Sequence, residues 1–281
     1  MSFAKQNPKI PEGINASSEN PLKEFVILLC GILLAICTVI ALLLIFSQQL
    51  VPLIPFRYEQ ALANKFDQLA SKNTGAEQVM LDAETALQEL GQQIAGKSGL
   101  QPDIELHFHF LDEPDVPNAF ATLGGHIFVT TGLLREVSSE NALAMVLAHE
   151  IAHIKLRHPA QSISGGLLVQ LFLSMLTGQN AVALQSTAQQ AGIMTVLGFS
   201  RKMETAADQA ALDALEQHYG HLAGAEAFFE KILAQHRQAS WQAIFASHPD
   251  MQQRIKQIKS RTQNKTTSTK ALDPRLNYQN L

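Results

Sequence analysis

From Phe25 to Phe46 the chain runs for about 22 residues without one Asp, Glu, Lys or Arg, and no other feature limits its folding so severely. A helix of that length spans the roughly 30 Å apolar core of a bilayer. A cleaved signal peptide would have a shorter apolar core, and the exit Phe46-Ser47-Gln48 lacks a small-x-small cleavage pattern. Lipid attachment at Cys30 or Cys37 is disfavoured by bulky Leu29 and Ile36. The run therefore reads as one retained transmembrane helix over 25–46. It partitions the rest into a polar, flexible tail at 1–24, a folded domain at 47–259, and a polar tail at 260–281 that lacks apolar periodicity and is expected to be disordered. Lys5, Lys9 and Lys23 precede the span and Arg57 and Lys65 follow it. Three cations against two place the N-terminus in the cytoplasm and the domain on the periplasmic side.

Inside the domain the pattern is mainly helical. Leu62, Phe66 and Leu69, then Val79, Leu87, Leu90 and Ile94, recur at helical spacing before position 95. Ile104 to Phe110 alternates apolar and polar residues as a half-buried strand does. Phe120 to Leu123, a bend at Gly124-Gly125, and His126 to Thr130 read as further strand. Leu167 to Leu176 and 181–199 are too short or too polar to cross a membrane and read as a helical hairpin packed on the domain. The 21 basic and 25 acidic residues give a net charge of −4, which removes any electrostatic support for a nucleic-acid partner. The two cysteines both lie in the apolar run, so neither a disulfide scaffold nor a cysteine metal site is available.

The chemistry concentrates in one apolar-periodic segment, Ser139 to His158. Ser138 or Ser139 can cap it, Glu140 suits its positive end, Arg157 and His158 suit its negative end, and Pro159 ends it. Leu143, Val146, Leu147, Ile151 and Ile154 mark one buried face. His149 and His153, four apart, project side by side, with Glu150 next to them. Two neutral imidazoles for one ion, and a carboxylate free to take a proton from water, are what a hydrolytic zinc site requires. Such a site needs a third protein ligand. Glu204 is the best candidate, with Asp208 on the same helix face available to accept a hydrogen bond from a liganding imidazole. His107 and His109 share a strand face and read as solvent-facing positions.

His149-Glu150-Ile151-Ala152-His153 followed by Glu204-Thr205-Ala206-Ala207-Asp208 resembles the zinc metallopeptidase family of HtpX, the CAAX prenyl endopeptidase and the Oma-type and BepA-type proteases. Asn118-Ala119-Phe120, Arg157-His158, and Ser247-His248-Pro249 with Arg254 match as well, so the resemblance covers roughly 58–259. It implies a zincin-like gluzincin domain, mainly α (α+β), with a small antiparallel sheet beside the active-site helix. It implies one Zn²⁺ held by His149, His153 and Glu204, with Glu150 as general base. Asn118 and Ala119 would lie on an edge strand that pairs with an extended substrate. His248 and Arg254 would stabilise the oxyanion, and His248 would approach the metal in a resting, inhibited state. Many relatives carry several spans where this chain has one, which favours a tethered domain acting on protein or peptide substrates, misfolded envelope proteins among them. The rival reading is a non-proteolytic, membrane-tethered chaperone or assembly factor on the same fold.

Overall fold

The computed structural model describes residues 20–61, 63, 78–177, 199–234, 244, 248, 251–262 and 268–278. The chain divides into two compact units, Met1–Leu43 and Leu44–Leu281. The described residues of the first are Asn20 and most of helix α1 (Pro21–Leu50). Its 30 residues rise about 45 Å at the usual helical pitch, and among the described residues it belongs to the one helix long and apolar enough to cross a membrane. Leu28, Leu34 and Ile45 stand exposed along it, as lipid-facing side chains would.

Among the described residues the second unit is built on α2 (Gln78–Ser98), three short strands, and five further helices that follow α3 (Thr131–Glu136). These are α4 (Glu140–Lys155), α5 (His158–Thr177), α6 (Arg201–Tyr219), α7 (Ala227–Ala234) and α8 (Met251–Thr262). Helix α4 lies at its centre. Ser139 caps it by accepting from the Ala142 N–H at 3.2 Å, and Glu140 sits in its first turn, where a carboxylate suits the helix dipole. The sequence marks one apolar face, but Glu140 to Ile154 is buried all round. Small residues make that possible, because Ala142, Ala144, Ala148 and Ala152 let neighbouring elements approach the sides that carry no large side chain.

The helix also ends earlier than the pattern implies. The backbone of Arg157 is left-handed, at φ 60°, and a new helix starts at His158 with Pro159 in its first turn. Proline lacks the N–H that an interior helical position donates, so here it opens a helix instead of closing one. Of the segments expected to form a hairpin, the first lies in the helix that ends at Thr177, and 178–198 lie outside the described residues.

The sheet corrects a second expectation. Strands β1 (His107–Leu111), β2 (Ala119–Ala121) and β3 (His126–Thr130) lie in the order β1-β3-β2. β2 pairs antiparallel with β3, but β1 pairs parallel, His107 opposite His126 through Leu111 opposite Thr130. The sheet is mixed because the 112–118 loop carries the chain past β3's place before the β2–β3 hairpin returns. That hairpin turns through Gly124 and Gly125, at φ 76° and 92°. A Cβ on Gly125 would lie 1.9 Å from the Glu105 carbonyl, so the turn accepts only glycine. Phe108, Phe110, Ile127, Val129, Ala119 and Ala121 face the core. The outer edge of β1 is closed by α2, where Gln88 and Glu84 accept from the Phe108 and Phe110 N–H groups at 3.2 and 3.0 Å.

The segment expected to be a disordered tail is ordered over 268–278. The Glu140 N–H donates to the Lys270 carbonyl at 3.0 Å, and the Lys270 N–H donates to Asn141 Oδ1 at 2.7 Å. Leu276 and Tyr278 are buried, the latter with its ring 5.2 Å from that of Phe110. Two apolar anchors in a polar stretch are too few to show as periodicity, yet they suffice to strap it across α2 and the start of α4.

Candidate active site

The C-terminal half of α4 presents His149 and His153 on one side, their rings 4.6 Å apart and their Nε2 atoms 3.0 Å apart. Glu204 enters from the first turn of α6, whose start is fixed by Ser200 accepting from the Met203 N–H. Its two oxygens lie 3.3 Å from His153 Nε2 and 3.4 Å from His149 Nε2. His248 Nδ1 completes the cluster, 3.2 Å from His149 Nε2 and 3.1 Å from Glu204 Oε1. Among the described residues this is the group of His, Cys, Asp and Glu whose ligand atoms converge: all four atoms fall within 4.8 Å of one another. All four side chains are buried.

The arrangement fits a metal ion on its own terms. Three imidazole nitrogens face each other across a buried centre, and lone pairs at that separation repel unless protons or a cation lie between them. Three nitrogens and a carboxylate form a donor set suited to zinc. Around it, Asp208 Oδ1 lies 2.9 Å from His149 Nδ1, on the far side of the ring. Arg254 donates from Nε to Asp208 at 2.6 Å and from Nη2 to Glu204 at 2.7 Å, its guanidinium resting 5.0 Å from the Phe229 ring centre. Two of its five N–H groups are used on these carboxylates, and Nη2 also lies 3.3 Å from His149 Nε2.

Glu150 is also buried. Its Oε1 lies 3.4 Å from His248 Nε2, and its Oε2 has no partner. Burial raises its pKa above the ordinary carboxylate value. Burial would raise Glu204 too, but hydrogen bonds from His149, His153 and His248 hold it well below the usual range. Asp208 is likewise lowered: burial opposes this, and the Arg254 charge prevails. For His149, burial and the Arg254 charge press toward neutrality, yet the hydrogen bonds to Asp208 and Glu204 outweigh them and push it up to about 9. Burial drives His153 well below 6.5 and His158 to about 4.

The structure thus brings His149, Glu150, His153, Glu204, Asp208, His248 and Arg254 into one cluster. Asn118 and Ala119 are buried at the start of β2, the sheet's edge strand, which packs against α4. The Asn118 side-chain oxygen has no partner. His107 and His109 lie on the outer sheet face, away from this group.

Two further side chains support the cluster in a way the sequence did not assign to them. The ring of Phe199 stacks on His153 at 3.9 Å, and His158 Nδ1 lies 3.0 Å from His153 Nδ1. Phe199 directly precedes the capping Ser200, a position where an apolar residue fixes the entry of a helix, and that was its one signal. His158 looked like a helix-end cation.

The model of Peptidase family M48 matches residues 82–262. The mitochondrial metalloendopeptidase OMA1 of Schizosaccharomyces pombe is 33% identical over 168 residues, covering 59% of this chain and 49% of the relative. The beta-barrel assembly-enhancing protease of Escherichia coli is 28% identical over 170 residues, 56% of this chain and 35% of the relative. The mitochondrial metalloendopeptidase OMA1 of Bos taurus is 33% identical over 134 residues, 44% of this chain and 25% of the relative. The chain therefore spans half or less of the length of these relatives. With the family model covering most of the folded unit and a buried centre of three imidazoles and a carboxylate lying within it, the chain belongs to Peptidase family M48, the zinc-dependent metallopeptidases.

Proposed function

We propose that the chain is a membrane-anchored zinc endopeptidase in which His149, His153 and Glu204 hold the metal and Glu150 is the general base. The observation that carries this reading is the convergence of two α4 imidazoles and an α6 carboxylate, with an unligated buried carboxylate beside them. When bound, zinc acidifies water toward neutral pH and polarises a carbonyl. Glu150 takes a proton at the oxygen left without a partner and returns it to the departing amine, a role favoured by its raised pKa. Asp208 orients His149, and Arg254 fixes both Glu204 and Asp208. The edge strand at Asn118 and Ala119 aligns an extended peptide beside α4 through main-chain hydrogen bonds.

His248, whose Nδ1 lies among the donors, would help hold the metal at rest and, if turned away by an arriving substrate carbonyl, would donate to the oxyanion. The apolar helix near the N-terminus, the one such helix among the described residues, and the cations that flank it support a single-pass protein whose domain faces the periplasm. Substrates there would be proteins or peptides, misfolded envelope proteins among them, and the role one of envelope quality control. The test is metal content and chelator-sensitive casein cleavage by the purified full chain, alongside Glu150→Gln. Zinc retention with cleavage lost is expected. Full turnover by that variant refutes the assignment, and rescue of a deletion phenotype by it would favour the chaperone reading.

A further inference from the structure

The two α4 imidazoles are supported from behind in different ways. His149 Nδ1 faces a carboxylate, Asp208, at 2.9 Å. His153 Nδ1 faces another imidazole, His158 Nδ1, at 3.0 Å. We propose that His158 is the positioning residue for His153, accepting a hydrogen bond from its Nδ1–H and so fixing the tautomer that turns the Nε2 lone pair toward the metal. This inference rests on the reading of His153 as a ligand.

The proton assignment follows from exclusion. A neutral imidazole carries one N–H and one lone pair. If His158 donated, the His153 proton would sit on Nε2 and point at His149 Nε2 and Glu204, leaving no lone pair for an ion. With the proton on Nδ1, His158 must offer its own Nδ1 lone pair and carry its hydrogen on Nε2. The ring of His153 has little freedom to do otherwise, because it is fully buried and Phe199 stacks on its face at 3.9 Å. The left-handed turn at Arg157 is what makes the contact geometrically available. It stops α4 after Lys155 and starts α5 at His158, which brings His158 back beside His153. Had α4 run on through position 158, five residues would have carried that side chain well round the helix from His153.

The consequence is an asymmetric pair of ligands. A carboxylate behind His149 adds negative charge and strengthens it as a donor; a neutral imidazole behind His153 orients without adding charge. The zinc affinity of the full-length chain in detergent, measured by competition with a chromophoric chelator, tests this in three variants. His158→Leu keeps bulk and loses the acceptor. His158→Asn restores an acceptor close to the Nδ1 position, and His158→Gln places it one bond farther out.

The Leu variant should lose roughly tenfold to a hundredfold in zinc affinity, the usual effect of removing a group that orients a ligand. The Asn variant should recover most of that loss and the Gln variant should not, with melting of the chelated chains unchanged. Parental affinity in His158→Leu, or equal losses in Asn and Gln, overturns the proposal. The Asn–Gln comparison decides the matter even if the Leu chain does not fold. A parent chain that binds no zinc removes the ligand reading itself, and this inference with it.

Discussion

Among the described residues, histidines cluster in two places that could hardly differ more. On the sheet, His109 Nε2 lies 2.8 Å from His126 Nδ1, with the His107 ring 4.9 Å from that of His126. His107 is exposed and His109 half-buried, stacked on Phe128. On the helices, His149, His153 and His248 are buried and converge with Glu204 on one centre. Residues two apart on a strand send parallel side chains out from the sheet, whereas residues four apart on a helix lean over the same turn. Proximity of imidazoles is therefore not enough. A metal centre also needs their lone pairs aimed inward, a carboxylate opposite, and groups behind each ring that hold it there.

The sharpest way to break this contrast is to remove imidazoles from each cluster in turn. His153→Ala should abolish zinc binding, taking the metal content of the purified chain from one to none and cleavage with it. The double variant His107→Ala, His109→Ala should keep both. Zinc lost from the sheet variant, or retained by His153→Ala, would mean the wrong cluster has been assigned.

How far each cluster was legible follows from the same geometry. The pair His149 and His153, and the pair Glu204 and Asp208, are local patterns on single helices, so period alone displays them. Their meeting is not local. It depends on α4 and α6 packing side by side, which the need for a third ligand and the family resemblance foreshadowed but no periodicity displays. The parallel pairing of β1 with β3 was invisible because strand alternation carries no direction. The strap at 268–278 hid behind its polarity, and His158 was masked by the assumption that α4 continues to it. Arg157 adopts a left-handed backbone without being glycine, and its side chain is held by Glu59 at 2.5 Å and by the Ile54 carbonyl at 3.0 Å. A tertiary clamp sets that turn, and no local sequence signal encodes it.

Next in size is the effect of chemistry without metal loss. Glu150→Gln replaces a carboxylate by an amide of the same shape that cannot accept a proton. Casein cleavage should fall by about two to four orders of magnitude while zinc content stays at the parental level. A loss of zinc in parallel would instead make Glu150 part of the metal's support.

Arg254 probes charge, which the helix cluster contains and on which it depends. Arg254→Leu leaves Glu204 and Asp208 buried with a cation removed, and breaking a buried pair this way costs about 3–5 kcal/mol. Urea unfolding should show that loss most fully in the chelated chain, since zinc still neutralises Glu204 when bound. The matching change on the sheet, His107→Phe, swaps one ring for another at an exposed position and should stay within about 1 kcal/mol of the parent.

The smallest effect is a slope with pH that arises in the helix cluster. Without metal, the His149 imidazole is pushed up to about 9 from an ordinary 6.5. A histidine raised on folding contributes stability that is complete below pH 6.5 and lost as the pH climbs through 9. The chelated chain should therefore melt at progressively lower temperature across that interval. The loaded chain should move the other way relative to it, because a ligand must shed its proton to bind and zinc competes better as protons become scarce. Melting curves of chelated and zinc-loaded protein should diverge between pH 6.5 and 9, and zinc uptake near neutral pH should release about one proton per ion. Parallel curves would show that His149 is already neutral without metal. Asp208 would then act on His149 by orientation rather than by charge.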